Sequence, residues 1–118
     1  MPTLNEILEH KAKRKKKLEI SLKSLINQLK ELDALKIILF GSLVDGNVDV
    51  NSDLDLLVIM PTRLKGKEWL NLIYDKIERN IASDIIVYNT EEFNSNLPKS
   101  SFLNNIISTG KIVYEKTK

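Results

Sequence analysis

The chain is expected to fold as an α/β protein: a small mixed β-sheet covered by helices, with an amphipathic N-terminal helix. Three observations predict this class. Short β-branched apolar runs alternate with longer stretches of helical periodicity, as in sheets covered by helices. A helical stripe occupies the first third of the chain. The 118 residues suit one compact domain that buries a core without disulfide staples. Residues 1–35 are assigned to the N-terminal helical segment and 36–118 to the sheet domain.

Composition removes several chemistries. There is no cysteine and a single histidine, His10, so thiolate metal sites, a zinc site of histidines and a Ser-His-Asp triad are all disfavoured. Any metal chemistry must run on carboxylates, which favour hard cations such as magnesium or manganese. No apolar run approaches bilayer-spanning length, and the N-terminus lacks the regions of a signal peptide, so a cytoplasmic protein is expected. The net charge of +2 is unevenly spread. Residues 11–17, "KAKRKKK", are nearly all basic, whereas residues 41–60 hold four aspartates and no Lys or Arg.

The elements follow in order. Leu18, Leu22, Leu25, Ile26, Leu29 and Leu32 recur at three- and four-residue spacing, predicting a helix from Leu4 to about Leu35. Asn5 is its expected cap, and the polar part before Leu18 is read as a separate turn or a loosely docked extension. "KIILF", Lys36–Phe40, is a buried strand closed by Gly41, and Ser42 to Val44 follow as a brief helical turn. Leu54–Met60 is a second buried strand, ended by Pro61. The connection between these strands is too short for a full helical crossover, so an antiparallel pair is expected. Trp69, Leu70, Leu72, Ile73, Ile77 and Ile81 mark a helix across Lys65–Ile81. Ser83–Tyr88 is a third strand, and helical pieces at Glu91–Leu97 and Ser101–Ser108 flank Pro98. "KIVY", after Gly110, closes the chain as a short strand.

The chemistry concentrates in "LFGSLVDGNVDVNSDLDLLVIM". Side chains alternate along a strand, so Asp53 and Asp55 point to one side, roughly 6–7 Å apart at their Cα atoms. Asp84 opens the third strand at a comparable place. If the second and third strands are neighbours, Asp84 comes within about 5 Å laterally of that pair. Three such carboxylates repel, and two divalent cations between them would relieve the repulsion. Gly41 permits close backbone approach, and Ser42 offers a hydroxyl, at a turn suited to phosphate.

"FGS", a loop of about ten residues, "SDLDLLV", then "SDIIVY" and a closing "TGKIVYE" resemble the nucleotidyltransferase superfamily related to DNA polymerase beta. Within it, the chain is most similar to the minimal nucleotidyltransferase (MNT) proteins paired with HEPN-domain proteins in prokaryotic toxin–antitoxin modules. The resemblance spans Lys36 to Tyr114. It implies that Gly41 and Ser42 hold the triphosphate of ATP. Asp53 and Asp55 would ligate two magnesium ions (manganese being an alternative), with Asp84 as third carboxylate acting on the attacking hydroxyl. It further implies an AMP transfer that silences a HEPN ribonuclease partner at a tyrosine. One departure stands out: "GSLVDG" carries Leu43 and Asp45 where many members have an arginine.

Two other readings accompany this one. The first is an antitoxin that neutralises by occlusion, with an inert metal site; the missing arginine motivates it. The second is an RNA-binding accessory protein acting through the basic run, although no aromatic residues interleave with it and a solvated helix face is favoured. Asp45 and Asp49 are read as loop residues, His10 as solvated, Trp69 as helix-to-sheet packing, and Tyr74 and Tyr88 as core-edge residues.

Overall fold

Leu54–Met60 forms strand β2, and its "LDLLVIM" is buried at every position but Asp55. A strand this apolar on alternate residues must be covered on both faces, and the rest of the fold supplies the cover. The computed structural model describes residues 3–41, 54–78 and 83–117. Within them, helix α1 (Leu4–Glu31) precedes β1 (Lys36–Phe40) and β2. Helix α2 (Gly66–Lys76), β3 (Ser83–Asn89), α3 (Thr90–Asn96), a 3₁₀ turn (Leu97–Lys99), α4 (Ser101–Thr109) and β4 (Lys111–Glu115) follow. The sheet order is β3-β2-β1-β4. β1 is antiparallel to both β2 and β4, and β2 is parallel to β3. The expected mixed sheet covered by helices, with an N-terminal helix, is the fold observed.

Each face has its own core. Ile37, Leu39, Leu54, Leu56, Val58, Met60 and Ile85 meet α1 through Leu18, Leu25 and Leu29, and α2 through Trp69 and Ile73. Ile38, Leu57 and Ile59, on the opposite face, meet α3 through Phe93 and α4 through Leu103 and Ile106. Trp69 is packing, as the sequence indicates: its ring is buried, its indole N–H donates to the Pro61 carbonyl at 2.8 Å, and Arg63 lies 4.8 Å over it. Tyr88 is half-buried against the second core, whereas Tyr74 is nearly half exposed.

Helix α1 departs from expectation at both ends. Its cap is Thr3, not Asn5: the Thr3 hydroxyl accepts from the Glu6 N–H, and the Glu6 carboxylate accepts from the Thr3 N–H. The polar half before Leu18 is continuous with the rest, so no separate turn occurs there. The helix stops at Glu31, short of Leu35, because Asp33 adopts a φ of 74°. Asp33 N–H then reaches the Lys30 carbonyl at 2.9 Å and Ala34 N–H reaches that of Leu29 at 3.0 Å, the double bond of a left-handed helix stop. The lysines of residues 11–17 are all exposed, and His10 is too. Among the described residues, no helix is long and apolar enough to cross a membrane.

Two polar clamps join the helices to the sheet. The Gln28 amide both donates to and accepts from the Glu78 backbone, each at 2.9 Å, fastening α1 to the exit of α2. The Glu92 carboxylate accepts from Gly66 N–H and Asn89 N–H, each at 2.9 Å, so one side chain caps α2 and α3 together. Gly66 is close to neighbours on two sides: a Cβ there would sit 2.7 Å from Glu92 Oε1 and 2.7 Å from the Val87 carbonyl. Gly→Ala in an exposed helix normally stabilises by about 0.5–1 kcal/mol. Here the overlap with a backbone oxygen opposes it, at a cost of roughly 1–3 kcal/mol. Gly66→Ala is therefore expected to lower the urea midpoint, and an unchanged or raised midpoint would show that the α2 entrance yields.

Candidate active site

Asp55 is the second residue of β2 and Asp84 the second of β3, and the parallel ladder pairs them directly. Being partners in one ladder, they project from the same sheet face, with their backbones roughly 4.7–4.9 Å apart. The alternation that sends Leu54 and Leu56 into the core under α1 and α2 turns Asp55 the other way. Asp84 is exposed and Asp55 half-buried, because both lie where the sheet runs out into solvent. On its other side Asp55 pairs with Phe40, the last residue of β1.

Gly41 follows Phe40 and has a φ of 84°, a left-handed conformation that glycine adopts without cost. Its bare Cα lies against Asp55: a Cβ built there would overlap the carboxylate oxygen Oδ2 and come 3.3 Å from Cγ. The strand exit, the turn glycine and the two carboxylates thus form one contiguous patch. Ser42 and Asp53 lie outside the described residues, as do Leu43, Asp45, Asp49 and the brief helical turn expected at Ser42 to Val44. Of the five residues expected at the site, the structure brings together Gly41, Asp55 and Asp84.

The donor set fits a hard divalent cation. Two adjacent carboxylates, at least one freely reached by water, offer oxygen ligands and a charge that an ion would offset. Among the described residues they have no third acidic or histidine ligand in reach, and Asp53 would be the additional carboxylate.

A cleft of about 330 Å³ opens beside this patch, lined by Phe40, Gly41, Asn105, Ile106 and Thr109. It lies between the end of β1 and α4. The aspartate and Gly-Ser motif by itself gives α4 no part in the site. The signal was present, because Phe102, Asn105, Ile106 and Thr109 recur at helical spacing and place two polar residues beside a buried one.

A family model for "Polymerase beta, Nucleotidyltransferase" matches residues 21–118. No curated protein matches the chain. Among solved structures, it is similar to a Sulfolobus solfataricus protein provisionally named a nucleotidyltransferase, with a TM-score of 0.63 and 14% identity. The alignment covers 91% of this chain and 88% of that one. At that identity the likeness speaks for the fold.

The paired carboxylates generate a test by metal removal. Like charges directly opposite on neighbouring strands cost about 0.2–1 kcal/mol. In chelator, Asp84→Asn is expected to unfold at a slightly higher urea concentration than wild type. Added manganese should raise the wild-type midpoint through linked binding and leave that of Asp84→Asn nearly unmoved. Equal gains for both proteins would detach Asp84 from any ion.

Proposed function

Because the chain belongs to the polymerase beta nucleotidyltransferase family, its general reaction being nucleotidyl transfer, we propose that it is a magnesium-dependent transferase of AMP from ATP to a hydroxyl on a partner protein. The acceptor proposed is a HEPN-domain ribonuclease, silenced by the modification, which makes this chain the antitoxin of the pair. The observation that carries the reading is the ladder pairing of Asp55 with Asp84 beside the left-handed Gly41.

The residues divide the work as follows. Gly41, with no Cβ, makes room for the Asp55 carboxylate, and its left-handed turn at the strand exit would offer backbone to phosphate oxygens. Ser42 adds a hydroxyl donor to the same oxygens. Asp53 and Asp55 would hold magnesium, with Asp84 as the third carboxylate. When bound, the metal supplies neutralisation of triphosphate charge and a lower cost of ionising the attacking hydroxyl. Asp84 is exposed at the edge of the patch, where an incoming acceptor can reach it, and its carboxylate takes the hydroxyl proton. The hydroxyl oxygen attacks the α-phosphorus, the bond from that phosphorus to the bridging oxygen breaks, and pyrophosphate leaves. Positioning and charge stabilisation account for most of such a barrier, so the turn geometry matters as much as the carboxylates.

Leu43 and Asp45, where many members of the resembled family have an arginine, favour a second reading in which the chain neutralises by occlusion alone. One assay separates the two. With α-labelled ATP, magnesium and the partner, label is expected on the partner, and Asp55→Asn or Asp53→Asn should reduce transfer by about two orders of magnitude or more. Neutralisation that survives either change, with no label transferred by the wild type, would establish occlusion instead.

A further inference from the structure

We propose that the cleft between the end of β1 and α4 is the subsite for the base of the nucleotide, with Asn105 reading its hydrogen-bonding edge; this rests on the site reading above. Gly41 is the wall the two places share. On one side it abuts the Asp55 carboxylate, and on the other it lines the cleft. A nucleotide with its phosphates at the carboxylates therefore has this opening within reach of its sugar and base.

Size and lining suit a base. About 330 Å³ is near the lower end of small-ligand sites, roughly 300–1,000 Å³, enough for a base and its sugar but not a polymer. The described residues of the lining are all uncharged, which suits an uncharged ring. Phe40 and Ile106 give apolar walls. Phe102 and Phe40 form a T-shaped pair, at 6.2 Å between ring centroids and 85° between planes, and Phe102 is 48% exposed. A half-exposed aromatic ring packed on a lining residue of the cleft offers area for stacking, and stacking tolerates any base.

Selectivity comes from the polar pair. The Thr109 hydroxyl donates to the Asn105 backbone carbonyl at 2.7 Å, so that carbonyl is satisfied within the helix. The Asn105 side-chain amide makes no hydrogen bond to the described residues. An amide carries a donor and an acceptor side by side. Adenine presents a matching edge, the N6 amino group beside N7, whereas guanine presents two acceptors there. The cleft should accordingly prefer adenine.

Calorimetry on the full chain in magnesium tests this, with ATP, GTP, CTP, UTP and inorganic tripolyphosphate as probes and urea midpoints confirming that each variant folds. ATP is expected to bind tightest. Asn105→Ala should weaken ATP roughly tenfold, and Thr109→Trp, which fills the opening, at least as much. Neither should alter the affinity for tripolyphosphate, which has no base to place. If both variants bind ATP as wild type does, or wild type binds ATP no tighter than tripolyphosphate, the base subsite is overturned while the phosphate site stands. If wild type binds neither probe, the site reading fails and the subsite with it.

Discussion

The parallel pairing of β2 with β3 sets the rest of the molecule. β2 is apolar on both faces, so it needs a strand on each side and a helix layer above and below. Antiparallel β1 satisfies one side. A parallel neighbour requires a crossover, and α2 provides it, burying Trp69 and Ile73 on the way. Once β3 lies parallel and Leu54 aligns with Ser83, the strand starts coincide. Residues one place in from both starts must then be side by side, and those residues are Asp55 and Asp84.

Register converts this coincidence into chemistry. A slip of one position would turn Asp84 to the opposite face and place Ile85 beside Asp55. The slip is resisted by the cores themselves, since Ile85 would leave the face it shares with Leu54, Leu56 and α2. The packing of the apolar residues therefore holds the carboxylates together against their own repulsion. The Glu92 clamp contributes from the far end, where it ties the exit of β3 to the entrance of α2. The geometry of the charged end thus depends on contacts made well away from it.

Much of this was legible in the sequence. The strands could be read because "KIILF", "LDLLVI" and "SDIIVY" are short, apolar and bounded by Gly, Pro or polar residues, and the structure gives them nearly the same limits. The adjacency of β2 and β3 could only be entertained, because periodicity reports which face a residue takes and not which strand lies next to it. The end of α1 was misread for a local reason. The stripe runs on to Leu32 and Leu35, and the stop is made by Asp33 in a conformation more usual for glycine. For the α4 cleft, the helical face of Asn105, Ile106 and Thr109 was legible, but not that this face meets the end of the first strand. Of the five site residues, Ser42 and Asp53 rest on the motif.

The capped, continuous helix α1 has a consequence of its own. At 1.5 Å per residue its 28 residues reach roughly 42 Å, along a molecule measuring 52 × 30 × 25 Å. Burial begins only at Leu18, and Leu4, Ile7 and Leu8 are exposed. The two halves therefore differ in what packs on them: the first is capped by Thr3 and Glu6 and is largely exposed, whereas the second buries its stripe against the sheet. Amide protons of the first half should exchange with solvent through fraying of isolated turns, while those around Leu25 and Leu29 open only when the whole core does. One uninterrupted rod thereby joins a weakly protected stretch of backbone to a strongly protected one.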